Sequence, residues 1–226
     1  LLRNHSSFFT ESGKIGVLHL SLTGRPSLGD DFGRTIRFPR KAFILAAFLA
    51  LDEQGLAATR RRAAEFLWDD MDPVRRAGNL RQLRSRLGRL QEAEGFELFR
   101  FDKDAVQLGT TVEVDVFELT RRDVTAVGRE ILLGCDAWSG ELLLGFEDGT
   151  ETYRGWLREM RNRLRELFVS LVARELDTAA RVLTPDECLR VAGRLLDADP
   201  ESETAFRVLI RTHFARADDE VGVAGQ

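Results

Sequence analysis

The sequence predicts a mainly α fold with small β content, divided between an N-terminal mixed module and a C-terminal helical one. Three observations carry that prediction. Short alternating apolar segments occur before residue 123 and vanish beyond it. Long apolar stripes at helical spacing dominate the second half. Charge divides at the same place: residues 1–122 hold 20 Lys/Arg against 17 Asp/Glu, net +3, whereas residues 123–226 hold 13 against 20, net -7. With 226 residues, 43% hydrophobic and 31% charged, the chain has material for real cores in one large domain or two modest ones.

Taken in order, Val17–Leu22 alternates and reads as a strand, and Thr23-Gly24-Arg25-Pro26 as a turn. Arg34–Phe38 reads as a second short strand. Pro39 suits the entrance of a helix, and Arg40–Leu51 is apolar enough to be a buried one. Asp52–Ala58 is then a loop, and Thr59 an N-cap for a helix over Arg60–Trp68. Asp69-Asp70-Met71-Asp72-Pro73 breaks the chain before a third helix that runs to about Glu92. Phe96–Phe101, a turn at Asp102-Lys103-Asp104, and Ala105–Leu108 form a hairpin. Thr111–Leu119 is expected to lead into the second module. There, helices are predicted over Thr152–Leu176, Pro185–Ala198 and Glu201–Ala217, the last two forming a pair of tetratricopeptide (TPR)-like length. The expected bounds are a tail at 1–14, a first domain at 15–110, a linker at 111–122, a helical domain at 123–217 and a frayed tail at 218–226. Three helices closed by a hairpin is a winged helix-turn-helix, so the full expectation is an N-terminal winged helix-turn-helix plus a C-terminal α-helical TPR-like bundle.

Several classes are excluded. The apolar run Phe43–Leu51 is about half a membrane crossing. The first residues show no basic segment followed by a long apolar stretch, so no signal peptide is expected, and the missing initiator Met suggests a fragment. Cys135 and Cys188 lie far apart in no pair motif and read as small buried hydrophobes. A reducing cytoplasm is the expected compartment. His5, His19 and His213 are isolated, and no phosphate- or dinucleotide-binding glycine motif is present. Asp69, Asp70 and Asp72 lack the Gly and terminal Glu of a calcium loop and read as a helix-to-helix turn. Trp68 and Trp156 read as core or interface aromatics. No catalysis, metal or cofactor is expected.

The third helix carries the chemistry. Pro73–Gln91 contains six arginines and no acid. Leu80, Leu83, Leu87 and Leu90 fall within about 80° of a helical wheel and form the expected buried stripe. The opposite arc carries Arg81, Gln82, Ser85 and Arg89, flanked by Asn79, Arg84 and Arg86. Arg offers a bidentate donor pair to guanine, and Gln or Asn pairs with adenine, so this face suits a DNA major groove. Arg75 and Arg76 at the helix entrance, and Arg60, Arg61 and Arg62 on the preceding helix, could reach phosphates. Arg100 and Lys103 flank the hairpin tip, where a wing would touch backbone or minor groove. Against this stands a compositional reading: 30 of the 33 basic residues are Arg, which could simply solvate helices.

Thr59–Trp68 (TRRRAAEFLW), Asn79–Leu87 (NLRQLRSRL), the hairpin and Val114–Leu119 (VDVFEL) together resemble the OmpR-type winged helix of SARP-type transcriptional regulators. Trp138–Phe146 (WSGELLLGF) and Tyr153–Leu167 (YRGWLREMRNRLREL) resemble the bacterial transcriptional activator domain that accompanies it. The likeness spans about residues 15–217. It implies promoter binding through helix and wing, with Asn79, Arg81, Gln82, Ser85, Arg86 and Arg89 as base or phosphate readers. It also implies a TPR-like domain for self-association and activation. Gly88 departs from the family, which usually carries a larger, often basic, residue there. The expected partners are double-stranded DNA, a second copy of the chain, and RNA polymerase or another regulator. The alternative is a non-catalytic protein–protein interaction module whose Arg-rich face meets an acidic protein.

Overall fold

A computed structural model of the chain describes residues 17–52, 56–109, 112–120 and 130–224. The expected tail 1–14, with His5, lies outside the described residues. So do residues 53–55 of the expected loop, 110–111 and 121–129 around the expected linker, and the final two residues of the expected C-terminal tail. The fold is mostly helical with two small three-stranded sheets. Two compact units form. The first combines residues up to Asp115 with Leu143–Arg158, and the second combines Val116–Leu142 with the chain from Glu159 onward.

In the first unit, β1 (Leu18–Ser21) pairs antiparallel with β2 (Ser27–Asp30), with Leu20 opposite Leu28. The second strand therefore precedes the expected Arg34–Phe38, where only Thr35 bridges back to Gly29. Ile36 and Phe38 do point inward, which explains the alternation. At Gly29 a Cβ would lie 2.9 Å from the Arg34 carbonyl oxygen, so a glycine permits this close backbone return.

Helix α1 (Arg40–Leu51) follows Pro39, and every residue from Ala42 to Leu49 is buried, making it the axis of the unit. Lys41 at its start is half-buried, and its Nζ donates to the Leu67 carbonyl at 2.6 Å. Burial pushes this amine below the usual lysine range. Residues expected as loop then form β3 (Ala57–Thr59). Thr59 caps α2 (Arg60–Leu67), its hydroxyl accepting from the Arg62 amide at 3.2 Å. Helix α3 spans Pro73–Glu94. Strands β4 (Phe99–Phe101) and β5 (Ala105–Leu108) form the predicted hairpin, and β3 adds to it in the order β3-β5-β4.

Residues 112–120 of the segment expected as a linker are structured. Val112–Val114 forms β6, parallel to β1, and the sheet order is β2-β1-β6. Asp115 then accepts hydrogen bonds from the Leu22 and Thr23 amides at 2.8–2.9 Å and from the Thr23 hydroxyl at 2.7 Å. The chain also returns to this unit later. The Leu143 and Leu144 amides donate to the carbonyls of Leu22 and Gly24. Leu143 adopts a left-handed φ of 53° with its side chain fully buried. Tyr153 and Trp156 then complete an aromatic cluster: Phe66 stacks on Phe48 at 4.2 Å between centroids and meets Trp156 edge-on at 4.9 Å.

The second unit is helical. It contains α4 (Asp115–Thr120) from Val116, α5 (Glu130–Ala137), α6 (Glu151–Ala179) from Glu159, α7 (Pro185–Ala198) and α8 (Glu203–Ala224). Helix α8 continues past the expected end at Ala217. Trp138 stacks on Phe168 at 4.9 Å, and Leu164, Phe168, Val172 and Leu176 line the buried side of α6. Thr184 and Glu187 form a reciprocal capping box at the start of α7. Helices α7 and α8 pack as a pair, as their TPR-like length predicts.

Candidate nucleic-acid interface

The turn between α2 and α3 is built from its acids. The Asp72 carboxylate accepts from the Val74 and Arg75 amides, both at 3.0 Å, and Pro73 occupies the first helical turn where its missing N–H costs nothing. Arg76 reaches back, its Nε and Nη2 donating to the carbonyls of Trp68 (3.0 Å) and Asp69 (2.6 Å). Asn79 Nδ2 donates to Met71 Sδ at 3.1 Å. Both residues were expected to face a nucleic acid; both brace the turn.

Beyond the turn, α3 divides as the wheel predicts. Leu80, Leu83 and Leu87 are buried and Leu90 is half-buried. Arg81, Gln82, Ser85, Arg86 and Arg89 are exposed together, with Arg84 among them. Arg89 leans on the Ser85 carbonyl at 3.4 Å. Arg81, Arg84 and Arg86 have no hydrogen-bond or ion-pair partner among the described residues. At the entrance Arg75 is 80% exposed and pairs with Asp72 at 3.3 Å. Val74, which sequence reasoning passed over, is 78% exposed on the same turn. An exposed valine among exposed arginines was readable from the sequence, since it lies off the leucine stripe.

The preceding helix contributes less. Arg61 is 88% exposed, 3.7 Å from Glu65. Arg62 forks onto the buried Asp52 carboxylate, one bond at 3.1 Å, and lies 5.2 Å over the Phe48 ring. Arg60 turns toward the hairpin: its guanidinium donates to the Asp102 carbonyl, and its amide to the Asp104 carbonyl at 2.9 Å.

The hairpin is fixed to α3 by a residue with no sequence signature. Gln91 accepts at Oε1 from the amides of Leu98 (3.1 Å) and Phe99 (2.7 Å), and its Nε2 donates to the Phe99 carbonyl at 3.0 Å. Arg100 is exposed and pairs with Glu97 at 2.8 Å; that hydrogen bond raises its already high pKa. Lys103 is exposed at the tip, between Asp102 and Asp104. Between α3 and β4 lies an open concavity of about 530 Å³, with Arg81, Arg84, Ser85 and Gly88 on one side and Phe99 and Phe101 on the other. The structure thus gathers Arg81, Gln82, Ser85, Arg86 and Arg89 of α3 into one exposed cationic face beside the hairpin. Arg60, Arg62, Arg76 and Asn79 are engaged in holding that face together.

Among the described residues no group of three or more His, Cys, Asp or Glu side chains could hold a metal ion. His19 sits between Asp31 (2.5 Å) and Glu113 (3.3 Å) on the β1 sheet. Cys135 and Cys188 are free thiols and buried, and burial pushes the Cys188 thiol up. No helix among the described residues is long and apolar enough to cross a membrane.

No curated protein matches the chain. The sequence profile of the bacterial transcriptional activator domain matches residues 104–219, just over half of the chain. That family is regulatory and not enzymatic, and its domains act in transcription. The match begins inside the hairpin turn and ends within α8, and on it the chain belongs to the bacterial transcriptional activator domain family.

Proposed function

We propose that the chain is a sequence-specific, DNA-binding transcriptional regulator of the SARP type, acting as an activator in the cytoplasm. Residues 15–110 serve as an OmpR-type winged helix, with α3 in the major groove and the β4–β5 hairpin as the wing. Residues 123–217 serve as the TPR-like domain for self-association or for contact with RNA polymerase or another regulator. One observation carries the reading: a helix with no acid before Glu92 buries its leucines and leaves Arg81, Arg84 and Arg86 exposed with no partner among the described residues, beside a hairpin tied to it. An unpaired guanidinium cluster attracts a polyanion, and the fork geometry suits phosphate and guanine alike. Arg81, Gln82, Ser85, Arg86 and Arg89 are the proposed readers, with Arg61, Arg75, Arg100 and Lys103 on the backbone.

The test is binding of mixed-sequence duplex DNA across a salt series. Each phosphate contact contributes about -0.9 to the slope of log K against log salt, so several contacts give a steep line. A flat or undetectable response at low salt would favour the protein-interaction alternative and sink the DNA reading.

A further inference from the structure

The open notch between α3 and β4 has features that base reading does not explain. Gly88 lies at its middle, on the exposed side of a continuous helix, with no left-handed φ that would demand glycine. A Cβ added there would meet nothing within 4 Å, so packing does not demand it either. An interior helical glycine is nonetheless destabilising relative to alanine, because it adds backbone freedom to the unfolded chain. Folding therefore gives no reason for this residue. Close approach of a ligand strand to the helix surface does.

The walls of the notch indicate what that strand is. Arg81 and Arg84 stand on one side with no partner among the described residues, and the Ser85 hydroxyl lies beside them. Among the described residues no carboxylate lines the notch. The half-buried Phe101 ring forms part of the opposite wall. This wall is held by the three hydrogen bonds of Gln91, so little ordering remains to be done when a ligand enters. The forked Arg84 guanidinium facing an apolar ring matches one nucleotide unit of a nucleic-acid backbone: a phosphodiester on the polar side, deoxyribose carbons on the aromatic side.

We infer that this notch seats a single sugar–phosphate unit of the bound duplex, with Arg84 as its principal phosphate ligand and Gly88 keeping the passage open. The inference rests on the DNA-binding reading and adds to it a backbone clamp between helix and wing. Arg84 acts on every sequence alike, in contrast to the base-reading roles proposed for Arg81 and Gln82.

The full-length chain is titrated against a labelled mixed-sequence duplex over a salt series, comparing wild type with Arg84→Ala, Arg84→Lys and Gly88→Leu. Arg84→Ala is expected to weaken all sequences similarly and to reduce the log–log salt slope by about 0.9, the value of one phosphate. Arg84→Lys should restore that slope. Gly88→Leu should keep or raise the melting temperature, since its Cβ enters open space and helix propensity improves, and yet weaken duplex binding several-fold. The notch assignment is overturned, with the DNA reading intact, if wild type binds duplex steeply with salt while Arg84→Ala keeps its slope and Gly88→Leu its affinity. It is also overturned if inorganic phosphate at constant ionic strength occupies the notch without competing with duplex. Failure of the wild type to bind duplex at low salt overturns both.

Discussion

Helices α3 and α6 each carry six arginines, and the structure uses them in opposite ways. Along α6, Arg154 and Arg158 meet Glu151, Arg161 and Arg165 meet Glu141 at 3.0 and 3.3 Å, and Arg174 meets Glu175 at 2.8 Å. Arg163 is engaged as well. Along α3, Arg75, Arg76 and Arg89 find local partners, but Arg81, Arg84 and Arg86 find none among the described residues. The difference follows from where the acids are. Helix α6 interleaves glutamates with its arginines, whereas α3 has none until Glu92. Arginine number does not separate the two helices; the presence of partners does.

Leu87→Ala removes a fully buried side chain from the inner face of α3 and should cost about 2–5 kcal/mol in denaturant unfolding. Retention of wild-type stability would mean that α3 is not held by its leucines. Gln91→Ala strands two hairpin amides and a carbonyl and should cost about 1–3 kcal/mol. It should also lower DNA affinity without touching a cation, which a calorimetric and binding comparison would reveal. Arg81→Ala and Gln82→Ala should each relax base preference by about 1–3 kcal/mol in competition between selected and scrambled duplexes. Equal losses on both duplexes would reassign them to the backbone. Arg163→Ala on α6 should leave duplex affinity and its salt slope unchanged, and a loss there would erase the distinction between the helices. Smallest is Gly88→Ala, expected to raise stability by about 1 kcal/mol because the added methyl enters open space.

The parts of the molecule that could be read from sequence are those governed by local periodicity. The leucine spacing of α3, the Thr59 cap, the hairpin turn and the long stripe of α6 each depend on residues within a few positions, and each forms near its predicted bounds. The misreadings come from contacts distant in sequence. Strand β2 has no alternation, because a glycine lets the Arg34 backbone fold over it. Strand β3 is two alanines and a threonine, recruited by β5. Strand β6 reads as a connection because its partner, β1, lies almost a hundred residues earlier. For the site, the pattern identified the outward face of α3 but could not separate free arginines from engaged ones. Arg62 is held by Asp52, and Arg76 by two carbonyl oxygens, which no residue type announces.

The return of Leu143–Arg158 to the first unit bears on how this protein can be dissected. A piece cut after residue 110 or 122 would lose Tyr153 and Trp156, leaving the faces of Phe48 and Phe66 that they cover bare to water. The basic half cannot be transplanted as a cassette in the usual manner, because an essential piece of its interior is encoded beyond the first stretch of the acidic half. Chimeras that exchange reading heads between such regulators would need to carry this later segment along, or accept a head with an open seam.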